Sequence, residues 1–347
     1  MLQYVKLKLT FKTISDIYLP EYKGSTLRGM FKTSFKRACC AISSTFCKDC
    51  MLAKQCVYAL ISEHRTESGE NTVLPYAISC FDLKTHSYAQ GENVSFEFLL
   101  VGQAVSYFPY IVYSLTTWDK LDISRFQPLI TGREILIRGE PAKWDERINP
   151  RGKIRLEKVE QISKTGLKLL YQRSSPLLSP NIELLSCETT ANSKKWLVKI
   201  DFLSPVRIFR KIKTEKKKKE KKLVQPESFN FMLFFRSLLT RYSGLYIHFD
   251  NGPADFGHSV LEQVKTDIEK VDIVKNNLVL EKVRRYKRNN TKWVHLDGLM
   301  GEVVFANVSD KLIPWIKAGE LIHAGKFPTL GFGEYSVKLG RRPVERP

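Results

Sequence analysis

Two stretches of this 347-residue chain, on either side of residues 171–193, carry the same order of predicted elements: strand, helix, strands, helix, strand. In the first stretch Val5, Leu7, Leu9 and Phe11 alternate with Lys6, Lys8 and Thr10, the period of a half-buried strand. A loop from Ile17 to Gly24 then leads into a predicted helix, with Ser25 or Thr26 as its cap. Leu27, Met30, Phe31, Ser34, Phe35 and Ala38 share one face of that helix, and Arg28, Lys32, Lys36 and Arg37 share the other. A strand over 93–102, an apolar helix from Tyr107 to Trp118 and a strand from Ile154 to Val159 complete the set. The second stretch gives a strand from Trp196 to Ile208, helices over 228–242 and 255–269, and extended chain over 271–286. A strand over 301–308, a helix over 310–323 capped by Asp310 and a strand over 335–339 follow. The order βαββαβ is the split βαβ unit of the ferredoxin-like fold. The fold class expected is therefore α+β, with two tandem ferredoxin-like (RRM-like) domains at 1–170 and 194–347. The Ser-, Pro- and Asn-rich segment 171–193 is the expected linker. The repeat is one of element order, since the halves share no visible sequence identity.

The last helix and the last strand are joined by His323-Ala324-Gly325-Lys326-Phe327-Pro328-Thr329-Leu330-Gly331-Phe332-Gly333-Glu334-Tyr335. Glycines at 325, 331 and 333 permit positive φ and close backbone approach. Successive exposed N–H groups in such a loop can form a donor cradle for phosphate. Lys326 adds a point charge, and His323 adds a group that titrates near neutral pH. The spacing is that of neither the ATP-binding loop nor the dinucleotide fingerprint. On these grounds Gly325, Lys326, Gly331 and Gly333 are candidate RNA contacts.

Charge narrows the class of partner. With 56 basic and 36 acidic residues the net charge is +20, which points to a polyanion. No apolar run reaches the length of a membrane-spanning helix, and Lys6 and Lys8 interrupt the first residues, so no signal peptide is read there. The expectation is a soluble cytoplasmic protein whose partner is nucleic acid, not membrane. Lys32 and Lys36 on the first helix, and Arg284, Arg285, Tyr286 and Arg288 in a mixed basic and aromatic cluster, are further RNA-binding candidates. The lysine run from Lys211 to Lys222 reads as a loop of like charge.

Five of the seven cysteines fall within residues 39–56, an insertion (39–58) in the first domain. Cys40, Cys47, Cys50 and Cys56 have the spacing C-x6-C-x2-C-x5-C, and four thiolates in a short loop can enclose a structural Zn²⁺. Cys39 could replace Cys40, and an iron–sulfur cluster would use the same ligands. Four protein ligands leave no open position, so no cofactor is expected for catalysis.

These pieces together resemble the CRISPR-associated endoribonucleases that process precursor CRISPR RNA, within the repeat-associated RAMP superfamily. The resemblance is carried by Leu19-Pro20-Glu21-Tyr22-Lys23-Gly24-Ser25-Thr26-Leu27-Arg28-Gly29, by Cys47-Lys48-Asp49-Cys50 with Cys56-Val57-Tyr58, by Gly298-Leu299-Met300-Gly301, and by the terminal glycine-rich loop. It implies repeat RNA lying across a basic cleft between two ferredoxin-like domains. It also implies metal-independent cleavage, in which the 2′-hydroxyl attacks the adjacent phosphate to leave a 2′,3′-cyclic phosphate and a 5′-hydroxyl. That chemistry needs a base, an acid and a cation for the phosphorane.

The chain departs from the family in one respect. The usual catalytic histidine lies on or beside the first helix, whereas no histidine precedes His64 here. The candidate catalytic set is therefore His323 with Tyr22, Lys23 and Arg28, assisted by Lys326, and with His64 and His86 as second choices. His248, His258 and His295 read as core or surface residues. Two other functions compete: a non-catalytic subunit that holds repeat RNA in a CRISPR interference complex, and an adaptor whose cysteine loop contacts a protein.

Overall fold

The computed structural model describes residues 1–20, 22–42, 46–65, 72–80, 85–126, 135–137, 140–142, 152–187, 194–213, 219–287 and 292–341. The first half builds β1 (Leu2–Thr13), α1 (Gly24–Cys39), α2 (Val57–Ser62), β2 (Tyr76–Ser79), β3 (Asn93–Val101), α3 (Phe108–Thr116), β4 (Ile154–Ser163), β5 (Gly166–Gln172) and β6 (Glu183–Leu185). Their antiparallel sheet has the order β2-β3-β1-β4-β5. Val5, Leu7, Leu9 and Phe11 of β1 point to one face and are fully buried, as the alternation requires. α1 and α3 cover that face through Leu27, Met30, Phe31, Phe35, Phe108, Ile111 and Leu115. Ser34, the one polar residue on the apolar stripe of α1, accepts a bond from Trp118 Nε1 at 2.9 Å, which satisfies an indole that the core buries completely.

The second half builds β7 (Lys195–Val206), a hairpin of β8 (Phe209–Lys213) and β9 (Lys219–Leu223), α4 (Phe231–Phe249) and α5 (Phe256–Glu269). It continues through β10 (Asp272–Glu281), a hairpin of β11 (Arg284–Lys287) and β12 (Lys292–His295), β13 (Gly298–Ser309), α6 (Ile313–Ile322) and β14 (Tyr335–Arg341). The sheet order is β10-β13-β7-β14. The first domain places its second, third, first and fourth strands in that same succession as β2-β3-β1-β4. Both halves are thus ferredoxin-like, as the element order predicted.

Local expectations are corrected in several places. β2 is only four residues long and buried throughout, so it lacks the alternation that marks a half-buried strand. α1 starts at Gly24 with Lys23 at its cap and no side-chain capping bond, which puts Ser25 and Thr26 inside the first turn. The turn before α6 is capped by Ser309, whose hydroxyl accepts from Lys311 N at 3.3 Å, and not by Asp310. Asp310 instead binds the indole N–H of Trp196. The predicted linker includes β6, which pairs Glu183–Leu185 with Leu2–Tyr4 of β1. The lysine run supplies both strands of a hairpin, pairing Lys213 with Lys219 and Arg210 with Lys222.

The two domains share buried surface. Leu2, Ala77, Leu99 and Val101 of the first sheet belong to the same core cluster as Leu238, Tyr242, Leu245 and Phe249 of α4. At that junction the guanidinium of Arg241 is buried, donating to Ile322 O at 2.7 Å, Tyr76 O at 3.3 Å and Leu74 O at 3.5 Å. One side chain therefore ties α4, the end of α6 and β2 together. No helix among the described residues is long and apolar enough to cross a membrane.

Candidate nucleic-acid interface

The glycine-rich loop sits where the domains meet. Gly24, the first residue of α1, lies so close to the loop that a Cβ there would come 2.0 Å from Leu330 O. At Gly333 (φ +77°) a Cβ would fall 1.8 Å from Ala324 O. Glycine is required at both positions by backbone approach. The loop amides are turned inward: Ala324 N donates to Gly333 O, Lys326 N to Arg207 O, Leu330 N to Phe327 O, Gly333 N to Pro205 O and Glu334 N to Ser204 Oγ. Of the amides expected to cradle phosphate at Gly325, Gly331 and Gly333, those of Gly331 and Gly333 are thus bonded to backbone carbonyls, Pro328 O and Pro205 O. They fold the loop, and its exposed tip is Lys326 and Phe327.

His323 lies behind the loop and is 2% exposed. Its Nε2 is 3.0 Å from Ser79 Oγ, and its Nδ1 is 3.1 Å from Phe332 O. Burial drives the imidazole down to about 3, with Arg241 adding to the fall. Both ring nitrogens are engaged and the ring is neutral, so it presents no edge to a substrate. Glu334 is buried beside it. Burial raises its carboxyl to about 7, Glu97 adds to the rise, and Lys6 and a bond from Ser79 oppose it. Lys6 and Glu97 form an ion pair at 2.7 Å.

In front of the loop the expected cations converge from both domains. Arg28 projects from the first turns of α1 and Arg285 from β11, and both are half-buried. The Nε atom of each is buried and, among the described residues, has no hydrogen-bond acceptor. The guanidinium of Arg285 is pushed below its usual range by burial first and by the charge of Arg28 second. Tyr22 completes the group: its hydroxyl donates to Glu281 Oε1 at 3.3 Å, and its ring stacks on Phe332 at 6.2 Å. Val283, Leu296, Leu330 and Phe332 form the small apolar base beneath it. The fully buried Tyr76 hydroxyl faces Arg28 and Thr329 without reaching bonding geometry. Two arginines whose buried Nε atoms have no acceptor among the described residues suit an anion better than an empty interior.

The other expected residues lie apart from this group. Lys23 is buried at the cap of α1. Lys32 pairs with Glu63, and Lys36 sits 6.0 Å from the Tyr58 ring centroid. Arg284 is exposed on β11. The backbone of Tyr286 pairs with Trp293, and Arg288 lies outside the described residues. His64 is 2.6 Å from Thr72 Oγ1 and packs against His248 and Phe249. His86 stacks on Tyr18 at 5.9 Å, beside the loop that enters α1. Sequence reasoning missed Glu281, which nothing but its position at the end of β10 marks out.

The cysteines do gather. Burial, then Cys56 and Cys40, raise the Cys39 thiol to about 11. Yet among the described residues no three Cys, His, Asp or Glu side chains converge as a metal site would need. Cys40 and Cys56 also act on the Cys47 thiol, so three of the four expected ligands Cys40, Cys47, Cys50 and Cys56 share one neighbourhood.

Comparison with known proteins follows from the same elements. Residues 2–182 match a family described as an N-terminal domain, and residues 200–335 match the CRISPR-associated endoribonuclease Cas6. The second half of the chain belongs to the Cas6 family of CRISPR-associated proteins. In its fold it is similar to a Thermus thermophilus Cas6 in a product complex, with a TM-score of 0.54, 14% identity, and coverage of 97% of this chain and 100% of that one. It is also similar to part of a Cas6-RT-Cas1–Cas2 complex, with a TM-score of 0.54 and 11% identity; the match covers all of this chain and 47% of that one. No curated protein matches the chain by sequence. The Cas6 match takes in the glycine-rich loop and Arg285, whereas Arg28 and Tyr22 lie in the part that matches the N-terminal-domain family.

Proposed function

We propose that this chain binds CRISPR repeat RNA and cleaves precursor crRNA without a metal, by attack of a 2′-hydroxyl on the adjacent phosphate. The observation that carries the reading is the meeting of Arg28 and Arg285. They are 257 positions apart and come from different domains, and among the described residues each has a buried Nε with no acceptor. A phosphodiester placed between them accepts from both guanidinium groups, and the charge that builds on a phosphorane is neutralised where it develops. Tyr22, oriented by Glu281, is the hydroxyl that exchanges protons with the sugar and the leaving oxygen. His323 holds the loop against Ser79 and does not transfer protons. The products are a 2′,3′-cyclic phosphate and a 5′-hydroxyl.

A labelled repeat RNA incubated with the protein in EDTA tests the reading. Cleavage that survives chelation and stops with a 2′-deoxy sugar at the scissile position supports it, and Tyr22→Phe should slow the reaction by about 10²-fold. RNA that shifts on a native gel yet stays intact favours the second reading, a repeat-binding subunit of an interference complex. That alternative rests on one observation: no histidine precedes His64, so none lies on or beside the first helix in sequence.

A further inference from the structure

A second group of side chains at the loop tip is not used by the chemistry above. Phe327 holds a left-handed backbone (φ +68°), which a non-glycine residue adopts only under constraint. The constraint is visible: Leu330 N and Phe332 N both donate to Phe327 O, at 2.8 and 3.3 Å, and the preceding Lys326 N donates to Arg207 O at 3.0 Å. This rigid turn lifts an aromatic ring out of the loop with 41% of its surface open, next to a mostly buried segment. The ring rests on a cation. The Arg207 guanidinium carbon lies 5.7 Å from the centroid of Phe327 and 5.5 Å from that of Phe209, so the guanidinium is layered with two rings. Arg207 is 8% exposed, donates to Asp297 O, and has a buried Nε with no acceptor among the described residues.

Positive charge brackets the open side. Lys326 follows Gly325 on the tip; burial first, then the charge of Lys221 on β9 of the lysine hairpin, lowers the Lys326 ammonium. An exposed ring stacked on arginine and flanked by lysines from two elements matches what a single-stranded polynucleotide needs, a π-face for a base and cations for the adjoining phosphates.

We propose that Phe327, backed by Arg207, is a stacking platform for one unpaired nucleobase, with Lys326 and Lys221 neutralising the phosphates on either side. The proposal rests on the reading of this chain as an RNA-binding protein and adds a subsite at the loop tip, separate from the arginine pair. It makes RNA grip depend on a side chain that does not touch the reacting phosphate.

The test uses the full chain and a single-stranded mixed-sequence RNA in which one nucleotide at a time is made abasic, with affinity read by fluorescence anisotropy. Wild-type protein should lose affinity on the order of tenfold at one abasic position. Phe327→Leu should show the same loss with the intact RNA and no additional loss at that position, whereas Phe327→Trp should keep wild-type affinity. A thermal melt of each variant establishes that it is folded. Intact affinity in folded Phe327→Leu, or losses that multiply when variant and abasic RNA are combined, overturns the platform. If wild-type protein fails to bind the RNA at all, the RNA-binding reading itself falls. If wild type binds and Arg28→Ala weakens it while Phe327→Leu does not, only the platform falls.

Discussion

His323 Nε2 lies 3.0 Å from Ser79 Oγ and so bonds the glycine-rich loop of the second domain to β2 of the first. The ring spends its other nitrogen on Phe332 O, inside the same loop. His323→Gln should therefore cost about 1–3 kcal/mol of stability, because buried partners lose their bonds. Chemical denaturation measures the cost, and the cleavage rate of bound RNA should stay near wild type. A drop of the order of 10² in that rate, with stability unchanged, would return the ring to proton transfer.

The same joint should give stability a characteristic pH dependence. His323 falls from 6.5 to about 3 in the folded chain, so between those values only the unfolded chain binds its proton. Its contribution is present above 6.5 and lost as pH falls through the window. Glu334 rises from 4.5 to about 7, so its contribution is fully present below 4.5 and lost as pH rises towards 7. The two slopes oppose each other where the windows overlap. Urea unfolding of wild type against Glu334→Gln should show wild type losing about 1–3 kcal/mol more on moving from mildly acidic to mildly basic buffer. Parallel curves would mean that this carboxyl does not titrate there.

Arg28 and Arg285 should behave as one phosphate site. Replacing either by alanine should weaken RNA binding and reduce the slope of log affinity against log salt by about 1. The double variant should lose less than the sum of the two single losses, since both act on one anion. Additive losses with an unchanged slope would assign them to separate or non-ionic contacts.

Gly24→Ala tests the close passage of α1 under the loop. A methyl 2.0 Å from Leu330 O cannot be accommodated without moving backbone. The expected penalty is about 1–3 kcal/mol, read from the melting temperature. An unshifted melt would show that helix and loop are not in contact in solution.

Arg241→Lys keeps the charge and removes the planar fork. Burial lowers the Arg241 guanidinium to about 9, which leaves it protonated at neutral pH, and its partners are three carbonyls, one at the end of α6 and two in or just before β2. A lysine cannot reach them together, so the variant should melt lower than wild type, by about 1–3 kcal/mol. A melt equal to wild type would mean that a single ammonium suffices there.

The tandem architecture was legible because its long strands and helices keep their periods: Val5 to Phe11 alternates over a full strand, and Leu27 to Phe35 holds one helical face. β2 was not legible, because four buried residues show no period. Arg28 and Arg285 could each be named from composition and position, but the influence of one on the other depends on how the two domains pack, which no local pattern encodes. His323 misled for a related reason. A histidine beside glycines looks reactive in a string of letters, and only the packing of Ser79 and Phe332 around it shows the ring enclosed. Arg207 and Phe327 went unremarked because neither lies in a basic run or an aromatic cluster of the sequence.

The sheet of the first half and α4 of the second contribute to one continuous apolar interior, with Leu2, Ala77, Leu99 and Val101 packed among residues of a helix far downstream. Severing the chain after residue 187 should therefore yield two fragments that are each poorly soluble alone yet restore a working particle when co-expressed. The interior of this molecule makes it a natural split reporter.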